Sequence, residues 1–339
     1  MDGFESSTLW QETCILPRTL ERTLAAADGF DEVATLVRSA ERVVVTGNGA
    51  AYYVALALWL ASLETTASQR PSVVAVPAGL VARGALAWRN GDAMLAVSSS
   101  GELRDAIEAL EAGAPRPYAT ITSTPDSTIG SGAAAAALVE VESQNGTTHT
   151  QAFAGNIAAA LAVWSRVTDD EKLAEALAGV PEVVAVALEQ APGFAADALM
   201  RLGDVSAGIV FGSGPAWAAA SEAALLLKEV ARVPAEGMET REGATTGMYA
   251  LRSGHAVLSL PAGPAPDPLL EEAERTCAAT GATVLRAPGG MSADRRLAAI
   301  TTFPAALALP IALGLRAGYD VDHPAWTDAY YATARVKED

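Results

Sequence analysis

The stretch that decides the fold is Ala207-Gly208-Ile209-Val210-Phe211-Gly212-Ser213-Gly214-Pro215-Ala216-Trp217, which runs on through an Ala/Leu-rich segment to Lys228-Glu229 and closes with residues 236–247. The apolar run 209–211 stops at Gly212-Ser213-Gly214 and Pro215 opens the helical segment, which is how a buried parallel strand hands over to a helix. Amides at such a turn, backed by a helix N-terminus, suit an anionic group. The helix carries Glu222, Lys228 and Glu229 into an otherwise apolar neighbourhood, and Glu229 is the candidate catalytic charge. Lys228 and Glu229 read equally well as the solvated end of the helix.

The same unit occurs earlier. Val43-Val44-Val45-Thr46-Gly47-Asn48-Gly49-Ala50-Ala51-Tyr52 aligns with 209–217 when Gly47 is set on Gly212 and Tyr52 on Trp217. An Ala/Leu-rich helix follows each, so the chain reads as a tandem repeat of one α/β unit.

With 339 residues, half of them apolar, the chain can bury one large or two medium cores. A net charge of −17 and a pI near 4.6 argue against sequence-independent nucleic-acid binding and against acidic membranes. An anion site must then be local and built largely from amides and hydroxyls. Cys14 and Cys277 set no metal or redox spacing, and His149, His255 and His323 do not approach a metal-binding pattern, so no metal or other cofactor is implied. The acidic N-terminal region, and apolar spans read as too short for a membrane, lead to the expectation of a soluble cytoplasmic protein.

Along the chain, 9–40 reads as a helical arm. About five short strands follow, at 43–46, 73–76, 93–97, 118–122 and 137–141, alternating with helices at 51–63, 80–88 and 103–112, the pattern of a doubly wound parallel sheet. Ligands sit at the carboxyl ends of strands in such sheets. Asn48 and Gly49 lie at one strand end, and Ser98-Ser99-Ser100-Gly101-Glu102 at another. Residues 151–202 read as helical with breaks near Pro181 and Pro192. Strands at 209–211, 256–260 and 283–285 and a long apolar helix at 302–317 form the second unit. The expected division is a helical arm at 1–40, a first domain at 41–168, a helical connector at 169–203, a second domain at 204–319 and a tail at 320–339.

Ser98, Ser99 and Ser100 offer three hydroxyls and several amides at the start of a helix, where donors and helix dipole act on one spot, as a phosphate or another compact oxyanion requires. The competing reading is a Ser-rich helix cap, which explains one serine better than three.

The double repeat, the Ser-x-Ser-Gly-Glu loop, the Leu-Lys-Glu helix end and the closing Asp320-Val321-Asp322-His323-Pro324 resemble the sugar isomerase (SIS) family over nearly the whole chain from about Leu16. The nearest likeness is to the isomerase half of glucosamine-6-phosphate synthase and to related sugar-phosphate isomerases, deaminases and deglycases. The resemblance implies two tandem SIS domains of flavodoxin-like α/β fold and a dimer or larger homo-oligomer. It also implies a phosphate loop at Ser98, Ser99 and Ser100, and a proton shuttle at Glu229 between the first two carbons of an open-chain sugar. A carboxylate with one face in an apolar wall has a raised pKa and can return the proton it takes near neutral pH. Asn48, Gly49, Gln151, Ser213, Thr245 and His323 complete the expected substrate contacts.

The departures are as informative. Ala50 and Ala51 stand where the family loop offers Thr or Ser, and Leu103 where a phosphate-loop Thr is expected. The ring-opening His falls near Thr245, in Glu242-Gly243-Ala244-Thr245-Thr246-Gly247, and none is there. Ala329 stands where the synthase has a lysine, with Lys337 further on. Arg104, Arg241 and Glu242 are candidate replacement contacts, each also readable as a surface charge. His149 is either a substrate contact or part of a capped surface loop. The expected activity is an aldose-ketose isomerase on an anionic sugar, its anion a phosphate or another acid such as a sulfonate. The alternatives are an amino-sugar phosphate deaminase or deglycase, a non-catalytic sugar-binding regulator, or a structural partner with an inert cleft.

Overall fold

A computed structural model describes residues 3–66, 71–288 and 292–334. Three short helices come first: α1 (Thr8–Thr13), α2 (Leu16–Ala26) and α3 (Phe30–Arg38). The first repeat then runs β1 (Arg42–Gly47), α4 (Ala50–Leu63), β2 (Ser72–Pro77), α5 (Ala78–Ala82), β3 (Asp92–Val97), α6 (Arg104–Gly113), β4 (Tyr118–Thr122), α7 (Thr128–Gly132) and β5 (Ala135–Leu138). Helices α8 (Thr150–Thr168), α9 (Glu171–Ala178) and α10 (Val180–Arg201) follow. The second repeat runs β6 (Ala207–Gly212), α11 (Ala216–Glu229), β7 (Ala235–Glu239), α12 (Thr240–Thr245), β8 (His255–Leu260), α13 (Pro268–Ala278), β9 (Thr283–Arg286), α14 (Ala298–Thr301) and α15 (Phe303–Arg316), and the chain continues to α16 (Thr327–Ala334).

Two compact units result, each assembled from separated stretches. One comprises Arg18–Ser143, Gln151–Ala178 and the segment from Trp326, and holds the first sheet. The other comprises the segment up to Pro17, Gln144–Thr150 and Gly179–Ala325, and holds the second.

The first sheet is wholly parallel in the order β2-β1-β3-β4-β5, with Val43 opposite both Val73 and Ala93. Every residue of β1 and β3 is buried, which explains why their sequences are continuous apolar runs rather than alternating ones. The second sheet repeats the order with one strand fewer, β7-β6-β8-β9. In each sheet the chain leaves the first strand to one side and returns on the other. The crevice at the carboxyl ends of β1 and β3, and of β6 and β8, is therefore the switch point at which such sheets take ligands.

The repeat extends to the backbone. A Cβ at Gly47 would lie 2.7 Å from the carbonyl carbon of Ala51, and one at Gly212 would lie 2.3 Å from the carbonyl oxygen of Ala216. Both glycines let the first turn of the following helix cross the strand end. Two residues on, Gly49 and Gly214 adopt φ of +54° and +55°, a conformation that glycine takes without the strain of a Cβ.

Several local expectations are corrected. Strand β7 was not expected, and it lies against α11 so closely that a Cβ at Gly237 would meet the Ser221 backbone at 2.4 Å. Helix α5 ends at Ala82, before Gly84 at φ +69°, rather than reaching Trp88. Strand β5 starts two residues and ends three residues before the expected 137–141, in register with β4. Pro181 does open a helix, but α10 runs through Pro192 without a break.

Two 22-residue stretches, Val180–Arg201 and Arg295–Arg316, reach membrane-spanning length and hydropathy, which the sequence reading had not counted. Thr301, Thr302, Pro304 and Pro310 look like interruptions there, yet the Thr302 hydroxyl donates back to Ala298 O at 2.7 Å and the helical path resumes. The apolar window of Arg295–Arg316 is fully buried, as a core helix is, and α10 packs on α15.

Candidate functional site

In the unit of the first sheet, residues 98–102 leave the carboxyl end of β3 and lead into α6. Ser98 Oγ accepts from Gly101 N at 3.0 Å, Ser99 Oγ from Asn156 Nδ2 at 3.2 Å, and Ser100 Oγ from Glu102 N at 3.4 Å. A seryl hydroxyl has one proton and two lone pairs. All three therefore face protein donors with their oxygens, and among the described residues none gives its proton to a protein acceptor.

The main chain of the loop is held independently. Ser99 O accepts three hydroxyls, from Thr122 at 3.2 Å, Ser123 at 3.1 Å and Thr124 at 2.9 Å. Gly101 adopts φ +66°, and a Cβ there would lie 1.9 Å from Ser127 Oγ. The Glu102 carboxylate accepts from Thr128 N and Thr128 Oγ1, both at 2.8 Å, so this acidic residue anchors the start of α7. The main-chain N–H groups of Ser99 and Ser100 have no partner among the described residues. The loop thus presents amide and hydroxyl donors next to a helix N-terminus whose own cap residue, Leu103, contributes no side-chain bond.

Asn48 and Gly49 occupy the end of β1 across the switch point, and Asn48 Nδ2 donates to Asp105 Oδ2 at 3.3 Å. Arg104 pairs with Asp105 and Glu108, each at 3.7 Å, and so fits the surface-charge reading. Gln151 does not fit the expected substrate contact. It is completely buried, its Oε1 accepts from Thr19 Oγ1 at 2.8 Å and Glu142 N at 3.2 Å, and its Nε2 donates to Ser143 O at 2.6 Å. The amide is a pin between α2, α8 and the segment after β5. A surface depression lined by Arg89, Asn90, Asp92 and Arg116 lies at the amino end of β3, away from the Ser loop. It adjoins the Arg42–Asp92 ion pair, where Arg42 Nε donates to Asp92 Oδ1 at 2.9 Å.

In the unit of the second sheet, α11 carries the carboxylates. Glu229 ends the helix with its surface open to solvent but protein packed behind it. Burial on that side raises its pKa, and the Lys228 ammonium beside it pulls the other way. Two turns back on the same face, roughly 10 Å along the axis, Glu222 is only 3% exposed and its Oε2 has no hydrogen-bond partner among the described residues. Burial drives its pKa well above the ordinary carboxyl range, and the Glu229 charge pushes it further the same way. The sequence named Glu222 on this helix without assigning it to the site. Alanine and leucine surround α11 on every side, so the periodicity gave no sign of which face was buried.

The other expected contacts in this unit are engaged with their own surroundings. Ser213 Oγ donates to Thr240 Oγ1 at 2.7 Å beside the Gly212 turn. Thr245 is exposed on α12 and its hydroxyl donates to Arg241 O at 2.8 Å. Arg241 pairs with Glu272 at 2.9 Å. His323 is exposed and its Nδ1 faces Asp320 Oδ2 at 3.5 Å. The tail motif has a different use: Asp322 accepts from Thr8 N at 3.0 Å and Leu9 N at 2.8 Å, capping α1. Ala329 lies in α16, and Lys337 lies outside the described residues.

No protein-family model and no curated protein matches the sequence. Solved structures do match the fold. The C-terminal domain of glucosamine-fructose-6-phosphate aminotransferase from Francisella tularensis matches with a TM-score of 0.83 at 17% identity, over 94% of this chain and 98% of that one. Tagatose-6-phosphate ketose/aldose isomerase from Escherichia coli matches at 0.76 and 17%, over 94% and 96%. Glucosamine-6-phosphate deaminase from Thermotoga maritima matches at 0.75 and 18%, over 93% and 96%. The chain has the fold of tandem sugar isomerase domains, as the resemblance in its motifs implied.

Proposed function

We propose that the chain is an aldose-ketose isomerase acting on a sugar that bears a phosphate or another compact acidic group. The observation that carries this reading is the donor loop after β3, where three hydroxyls accept N–H bonds and keep their protons for a ligand, beside two unpartnered amides. Oxyanion acceptors satisfy such a set. Proteins with the same fold carry names that join a hexose 6-phosphate to aminotransferase, deaminase or ketose/aldose isomerase chemistry, which supports the choice of substrate class.

In the proposed reaction the Glu229 carboxylate takes the proton from carbon 2 of the open-chain aldose, leaving an enediol, and returns it to carbon 1. The hydroxyl proton moves between the two oxygens, so the step is balanced without oxidant or reductant. A pKa raised by burial fits a base that must also give its proton back. A sugar-binding protein without turnover is the second reading, favoured by the absence of a histidine near Thr245 and of a lysine at Ala329.

The test is a thermal-shift panel of phosphorylated, sulfonated, amino and unmodified hexoses, followed by proton exchange at carbon 2 in deuterated water for each hit. Exchange in the wild type that is lost in Glu229→Gln, with binding retained, is the expected result. Binding without exchange in either protein would replace the isomerase with the binding protein.

A further inference from the structure

We propose that Asn156 is a positioning residue that holds the Ser99 hydroxyl as a donor toward the bound anion. The inference rests on the anion reading of the Ser loop given above. Ser98 and Ser100 are oriented by amides of their own turn, so the loop's fold fixes them. Ser99 has no such local amide. Its main chain is pinned by three hydroxyls, but among the described residues its side chain is held only from α8, by Asn156 Nδ2 at 3.2 Å.

Asn156 is 2% exposed, and its Oδ1 is buried without a partner among the described residues. Reversing the amide would let Ser99 donate inward to Oδ1 but would leave the two N–H donors of Nδ2 buried instead. With the amide as found, Ser99 Oγ is an acceptor on its protein side, and its single proton is left for the ligand side. A buried amide that keeps one unpaired atom is costly unless something requires it. Fixing a hydroxyl rotor that would otherwise sample several directions is such a requirement.

A double-mutant cycle tests this on the full chain, with inorganic phosphate and sulfate as probes in isothermal titration and the melting temperature as a check on folding. Ser99→Ala and Asn156→Leu should each weaken anion binding by about three- to tenfold. The double variant should bind no more weakly than Ser99→Ala alone. Effects that multiply in the double variant, or Asn156→Leu within about twofold of wild type, would overturn the positioning role while leaving the anion site standing. Failure of the wild type to bind either anion would overturn both.

Asn156→Asp supplies an arm that does not depend on how leucine packs. Ionised, Asp can only accept, so it draws the Ser99 proton inward and adds a negative charge. Burial raises the pKa of such a carboxyl, as it does for Glu222, so the comparison is made across a pH series. Sulfate, whose own charge is constant across the range, should bind more weakly to Asn156→Asp than to Asn156→Leu on the alkaline side of that titration and should recover as the pH falls through it. Affinity equal to wild type throughout the series, or weakening with no recovery in acid, would overturn the proposal.

Discussion

Replacing Glu222 by Gln removes a titration from the interior of α11 at almost constant shape. Glu222 is buried, has an unpartnered carboxyl oxygen, and has its pKa raised first by desolvation and then by the Glu229 charge. The direction of the linkage follows from that raised value. Below the unfolded pKa of about 4.3, both folded and unfolded chains carry the proton and the two proteins should be close in stability. As the pH rises past that point the unfolded wild type releases its proton while the folded protein holds it, so wild-type stability falls. The slope is about 1.4 kcal/mol per pH unit until the pH passes the folded pKa of Glu222. Glu222→Gln has no proton to lose and escapes this decline. Urea denaturation of both proteins from about pH 5 upward should therefore show the variant gaining on the wild type at up to about 1.4 kcal/mol per unit, until the pH passes the folded pKa of Glu222. Parallel pH profiles would refute the reasoning, because they would mean that Glu222 is ionised inside the fold or exposed to solvent.

Two further outcomes follow from packing and charge. Gly212→Ala should cost about 1–3 kcal/mol or more, since its Cβ meets backbone at 2.3 Å, and Gly49→Ala, with open space around its Cβ but a backbone at φ +54° and ψ −127°, should cost about 1–3 kcal/mol from backbone strain alone; an unchanged melting temperature for either variant would contradict this. Asp92→Ala leaves Arg42 buried without its carboxylate and should cost about 3–5 kcal/mol at neutral pH. Burial would raise the Asp92 pKa, but the hydrogen bonds and charge of Arg42 and the amide of Arg89 outweigh it and hold the value low. Its contribution is accordingly present above the unfolded pKa of about 3.9 and is lost as the pH falls through the folded value. Acid denaturation should show the gap between wild type and Asp92→Ala closing only in that acidic range.

The strand-glycine-helix units were legible because their apolar runs and glycines answer to local sterics. Gly47 and Gly212 meet the same part of the following helix, which is why an alignment made on sequence holds in space. Strand β7 was not legible. Ala235-Glu236-Gly237-Met238-Glu239 has no β-branched residue, and it forms a strand because β6 offers a free edge and Gly237 admits α11. The Ser loop was readable as a donor site, yet the residue that orients Ser99 was not. Asn156 lies on a helix of mostly small apolar residues, 57 positions from its partner, and nothing within its own turn marks it. Gln151 looked available for the opposite reason: its burial depends on Thr19 and on Glu142 and Ser143, which only the tertiary fold brings to it.

The bond from Leu9 N to Asp322 spans 313 positions, and the segment containing α1 belongs to the unit built mainly from Gly179–Ala325. Ser7 caps Trp10 N locally, but a ribosome adding about 5–20 residues per second would leave the Thr8 and Leu9 amides without Asp322 for roughly 15–60 s. The first sheet can form during that interval, since its strands are complete at Leu138. The apolar side chains of Leu9 and Trp10, buried in the finished protein, are meanwhile open to any chaperone or neighbouring nascent chain. The tail motif therefore acts late in synthesis, as the clasp that ends this exposure.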